Sequence, residues 1–149
     1  MTLLLAGSLA LLTACVAENA LSPARDLTGQ WIGTAPNGAV YRDNVANPNC
    51  LYQADLVLDL VQSGGSLSGT LRLTVRSTEG PLANPGLPCV PVGTTSTQAL
   101  TGEVGSTSSN FTLGDGMTVF SGTFTSDIFS GDFVVNAVNG VIGTFAVAR

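Results

Sequence analysis

Phe120-Ser121-Gly122-Thr123-Phe124-Thr125-Ser126-Asp127-Ile128-Phe129-Ser130-Gly131-Asp132-Phe133 contains one five-residue unit twice: apolar, any residue, Gly, polar, apolar. Strand side chains alternate between faces, so the first, third and fifth positions share one side. That side reads Phe-Gly-Phe, and the other reads Ser-Thr or Ser-Asp. A reversal about Ser126-Asp127 sets Phe124 opposite Phe129 and Phe120 opposite Phe133, with all four rings on one face. Glycine on that face lets a strand coil sharply and leaves room for a neighbour's large side chain.

The unit recurs at Leu27–Trp31, Leu67–Leu71, Leu100–Val104 and Val141–Phe145. Gly64-Gly65 is a two-residue turn signal that pairs Leu58 with Leu71 and Leu56 with Leu73. Asp55, Asp59, Arg72 and Arg76 then share the opposite face, where diagonal opposite charges attract. A turn at Asp115-Gly116 pairs Phe111 with Phe120, and one at Ser106-Thr107 sets Gly102 opposite Phe111. A three-residue turn at Val138-Asn139-Gly140 pairs Phe133 with Phe145 and keeps both inside.

The strands so placed are 27–34, 51–62, 66–76, 97–105, 108–114, 117–125, 128–137 and 141–148. Eight in simple succession predict an all-β, up-and-down antiparallel barrel, closed by pairing the last strand with the first. An open β-sandwich is the alternative. The interior receives Trp31, Phe111, Phe120, Phe133 and Phe145 with a set of Leu residues, and no charged group. Such a core is filled by its own side chains or holds one small apolar ligand.

Composition narrows the chemistry. Charged residues are 10% of the chain, against about 25% in a typical domain. Lys is absent, and the net charge of −5 with five scattered Arg argues against nucleic acid. Histidine is absent too, which removes the commonest general base and metal ligand, and with it Ser-His-Asp and Cys-His catalysis. Asp55 and Asp59 lie about 13 Å apart on a strand, too far for paired-carboxylate glycosidase chemistry. No catalytic residue, cofactor or metal site is expected, and the chain reads as a non-enzyme.

Leu3 to Leu12 is an apolar run too short to cross a bilayer, which needs about 20 residues. It fits the apolar part of a signal peptide, with a buried N-terminal helix as the alternative. The run ends in Leu12-Thr13-Ala14-Cys15, which resembles the lipobox of bacterial lipoproteins. The resemblance implies cleavage before Cys15 and acylation of its thiol, giving a signal at 1–14, a tether at 15–26 and a barrel domain at 27–149. Val16 is not the Asp that would divert a Gram-negative lipoprotein from the outer membrane. The expectation is an exported protein, held on the membrane through Cys15 and facing the periplasm or cell surface. Removing Cys15 leaves Cys50 and Cys89 as a pair that an oxidising compartment would join; two buried thiols are the alternative.

Leu27-Thr28-Gly29-Gln30-Trp31 resembles the Gly-x-Trp first strand of avidin-like and lipocalin-like barrels, which implies that Trp31 closes the barrel floor or lines a ligand site. Two segments look unlike strands, Pro36 to Asn49 and Ser77 to Ser96, and both belong to the end away from the chain's entry. Loops on a rigid scaffold commonly carry function, so Tyr41, Arg42, Asp43 and Asn44 are the candidate contacts for a partner. By analogy with small lipid-anchored barrels, that partner is an envelope protein such as a protease or lysozyme that the chain inhibits. Carriage of a small apolar ligand is the other reading.

Overall fold

In a computed structural model, residues 26–43, 47–80, 88–105, 109–135 and 142–149 are described. They form a closed antiparallel β-barrel and no helix. The strands are β1 (Gly29–Gly33), β2 (Ala39–Asp43), β3 (Asn47–Ser63), β4 (Ser66–Glu79), β5 (Thr95–Val104), β6 (Asn110–Gly114), β7 (Thr118–Phe124), β8 (Ile128–Val135) and β9 (Ile142–Ala148). Each pairs with the next from β3 to β9, and β9 pairs with both β1 and β2.

The barrel has eight strand positions because β1 and β2 share one. Gly33 opposes Leu56 and Ala39 opposes Ala54, so both run along β3 in the same direction. Residues 34–38 loop out between them, closed by N–H groups of Asn37 and Gly38 donating to the Thr34 carbonyl. The Asp55 carboxylate anchors this loop, accepting the Ala35 N–H at 2.9 Å and the Arg76 Nε at 2.6 Å. Most of the expected loop from Pro36 to Asn49 is therefore strand. Ala39 and Tyr41 turn inward and Arg42 outward, a short alternation between two turn-like segments. The second expected loop is shorter than its sequence suggests, because β4 runs on to Glu79 and β5 begins at Thr95.

Among the described residues, the apolar positions of the repeated unit face inward as predicted. Trp31, Phe111, Phe120, Phe133 and Phe145 are buried with Leu56, Leu58, Leu60 and Leu71 in one core, and no charged group among the described residues is buried. The pairs Leu58–Leu71, Leu56–Leu73, Phe120–Phe133 and Phe124–Phe129 form as expected. Three other registers differ from expectation, each by two residues. Phe111 opposes Val104 on one side and Gly122 on the other, and Phe133 opposes Gly143. An even slip keeps every side chain on its face.

The β6–β7 slip has a local cause. Asp115 acts as the first residue of the turn, not as a central one. Its Oδ1 accepts the N–H groups of Met117 and Thr118, so the reversal centres on Gly116-Met117, with Gly116 at φ +87°. Across β8 and β9 the cause is packing. Gly143 lies under the Phe133 ring, and Gly131 faces Phe145.

Gly122 and Gly131 oppose each other, and a Cβ on either would collide with the facing strand's backbone. Gly122→Ala should therefore lower stability to urea by about 1–3 kcal/mol, as overpacking does. The Ala35 N–H, then Arg76, hold the Asp55 carboxyl below its ordinary 3.8. A depressed folded pKa stabilises above the unfolded value and is lost as pH falls through the folded one. Acid titration below about pH 4 should weaken the barrel, and Asp55→Asn should flatten that part of the unfolding profile.

Candidate functional site

The barrel has two unlike ends. At the floor, where the chain enters, Trp31 is buried and its Nε1 donates to the Leu27 carbonyl at 3.0 Å. The β1–β9 ladder there holds Ile32 opposite Ala148, and Gly29 to Trp31 have no partner across the seam among the described residues. Arg149 takes that place. Its Nη2 donates to the carbonyls of Asp26 (2.8 Å) and Thr28 (2.9 Å), and its guanidinium lies 4.2 Å from the Trp31 ring centre. One side chain thus joins the first and last barrel positions through two hydrogen bonds and a cation–π contact. Arg149 carried no motif that singled it out in the sequence.

At the opposite mouth, Cys50 and Cys89 form a disulfide, as the cysteine count favoured. Cys50 is buried at the start of the paired part of β3, beside Tyr52 and Val75. The bridge holds residues 88–94 across this end. Val90 donates its N–H to the Tyr52 hydroxyl (3.1 Å), its carbonyl accepts from Thr78 Oγ1, and Gly93 and Thr94 exchange backbone hydrogen bonds with Val75.

Of the candidate contacts, Tyr41 does not stand in a loop. Its ring is half-buried, stacked on Tyr52 at 4.9 Å and edge-on to Phe133 at 5.8 Å. Arg42 is exposed on the outer face of β2, Asp43 ends that strand, and Asn44 lies outside the described residues. The structure therefore separates this group. Tyr41 belongs to the mouth's lining, and Arg42 stays available.

The expected interior residues come together. Ring contacts run from Trp31 through Phe129, Phe111, Phe145, Phe120 and Phe133 to Tyr41 and Tyr52, with centroid spacings from 4.4 to 6.0 Å. The chain of rings joins floor to mouth. Among the described residues, one buried side-chain polar atom is unpaired, the Oγ1 of Thr118, which shares the inward face of β7 with Phe120. No group of three His, Cys, Asp or Glu that could hold a metal occurs among the described residues. Grooves on the outer wall include one of about 390 Å³ between Asp55, Arg72 and Arg76, and one of about 240 Å³ beside Ile32 and Ile128.

Set beside known protein families, characterised proteins and solved structures, the chain matches none.

Exposed apolar side chains are the feature that sequence reading missed. Val119, Val134 and Ile142 stand outward in a line across β7, β8 and β9, and Met117 and Val92 are exposed at the mouth. Alternation places Val119, Val134 and Ile142 outward, but only the register makes them neighbours.

The disulfide closes 39 residues of sequence separation. Cys50→Ser or Cys89→Ser should lower unfolding stability by about 4 kcal/mol in the chain-entropy model. Hydrogen exchange should rise first around Tyr52, Val75 and residues 88–94, before β6 to β8 respond.

Proposed function

We propose that this chain is an exported bacterial lipoprotein, held in the cell envelope by acylated Cys15, and that its barrel is a non-enzymatic binding module. The disulfide is the observation that carries this reading. Cys50 and Cys89 are joined, which suits an oxidising compartment and leaves Cys15, after Leu12-Thr13-Ala14, as the odd cysteine. The polarity of the barrel supports it. Apolar groups fill the inside, while Ser, Thr and charged side chains cover most of the wall, the reverse of a bilayer-spanning barrel. The membrane attachment then belongs to a lipid at Cys15. A tether entering at the floor directs the mouth away from the membrane, so Arg42, Val92 and Met117 are the side chains an envelope protein would meet. Inhibition of a protease or lysozyme is the partner reading by analogy of form.

The second reading is carriage of a small apolar ligand that accepts or donates one hydrogen bond. Thr118 favours it, since a buried hydroxyl left unpaired costs about 1–3 kcal/mol. The run of ring contacts favours a filled core instead.

Expression in a bacterium with labelled palmitate should mark the full chain and release it to detergent, with Cys15→Ser abolishing the label. An unlabelled wild-type chain would refute the anchor. Capture from envelope extracts should fall at least about fivefold with Val92→Asp plus Met117→Asp if the mouth is the contact surface. Thr118→Val separates the ligand reading, because it should stabilise an empty barrel and weaken a loaded one, with native mass spectrometry reporting any bound mass.

A further inference from the structure

Five neighbouring strands present one line of directly opposed residues on the outer wall near the mouth: Gly114, Val119, Val134, Ile142 and Arg42. Val119, Val134 and Ile142 expose 47%, 40% and 55% of their surface. Directly opposed side chains on one face stand about 5 Å apart, so the three form one continuous apolar strip. A base ends the strip on one side. On the other, Gly114 offers no side chain, and Asp115 follows it at the rim.

The order matters because Val134 is the middle of the five. A two-fold axis at Val134, lying between the two walls and parallel to the strands, sets Val119 against the second copy's Ile142. The same operation lays Arg42 over Gly114, within reach of Asp115. Such self-matching is what a two-fold interface requires, since one patch must complement itself. The barrel wall curves away toward both ends of the line. A long Arg side chain spans that gap, and the bare Gly114 position leaves it room. Arg42 makes no ion pair among the described residues. The Asp115 carboxyl, held low by the Thr118 and Met117 N–H groups, keeps its charge.

We propose that the line from Gly114 to Arg42 is a self-complementary interface that pairs two copies of this chain, Val134 on Val134 and Arg42 with Asp115. The strip is narrow and buries three aliphatic side chains per copy, so the pair is a weak, reversible one. Pairing does not depend on acylation of Cys15.

Analytical ultracentrifugation of the full chain in detergent, with and without Cys15→Ser, tests this. Reversible dimers should form in both cases at concentrations up to roughly 1 mM, where even a millimolar complex is about half-formed. Val134→Asp should weaken the dimer by more than about tenfold, since two carboxylates would meet at the axis, while circular dichroism stays unchanged. Arg42→Gln and Asp115→Asn should each weaken it by about threefold, and the double variant no further, as coupled partners do. Asn at position 115 keeps an oxygen for the turn's N–H groups. A monomer at all concentrations overturns the proposal, as does association that vanishes with Cys15→Ser or ignores Val134→Asp. Independent effects of the two charge variants overturn the pairing of Arg42 with Asp115.

Discussion

Large side chains facing glycines across the strand ladder set the geometry of this barrel. Phe111 opposes Gly122, Phe145 opposes Gly131, Phe133 opposes Gly143, and Leu60 and Leu56 oppose Gly29 and Gly33. At Gly33, Gly122 and Gly131 the strands approach until an added Cβ would strike backbone. The space between close strands is then filled from the side by a ring or a leucine. Packing of this kind satisfies a curved interior at high density without any polar group inside.

That arrangement leaves the two ends to be closed by other means. At the floor the last strand stops pairing with β1 after Ile32, and Arg149 completes the seam through the Asp26 and Thr28 carbonyls and the Trp31 face. At the mouth, long β3 and β4 extend beyond their neighbours, and the disulfide draws residues 88–94 over Tyr52 and Val75. Each closure uses a side chain, or a covalent bond, where ladder hydrogen bonds run out. The chain's entry and the mouth therefore lie at opposite ends of a stiff body, which makes a tethered binding module mechanically sensible.

Carboxylates lie outside, and those with clear roles serve the fold: Asp55 anchors the loop between β1 and β2, and Asp115 builds the β6–β7 turn. Exposed aliphatic groups lie near the mouth, at Val119, Val134 and Ile142, and toward the floor, at Ile32, Val61 and Ile128.

The residues alone decided which side chains face inward, because a period of two survives any even slip of register. They favoured a bond between Cys50 and Cys89, which the structure shows. Tertiary structure decided what faces what. A three-residue turn chosen to keep the facing set Phe133 against Phe145, whereas packing prefers ring over glycine and sets Phe133 on Gly143. That slip of two moves Ile142, in place of Thr144, beside Val134, and so creates the apolar strip. Ala39-Val40-Tyr41-Arg42-Asp43 was unreadable as a strand for a related reason: five residues between turn-like segments have too little pattern of their own, and become a strand because β3 and β9 leave a place between them. Burial depends on local alternation, but neighbourhood depends on how distant segments pack, and that is fixed only when the barrel closes.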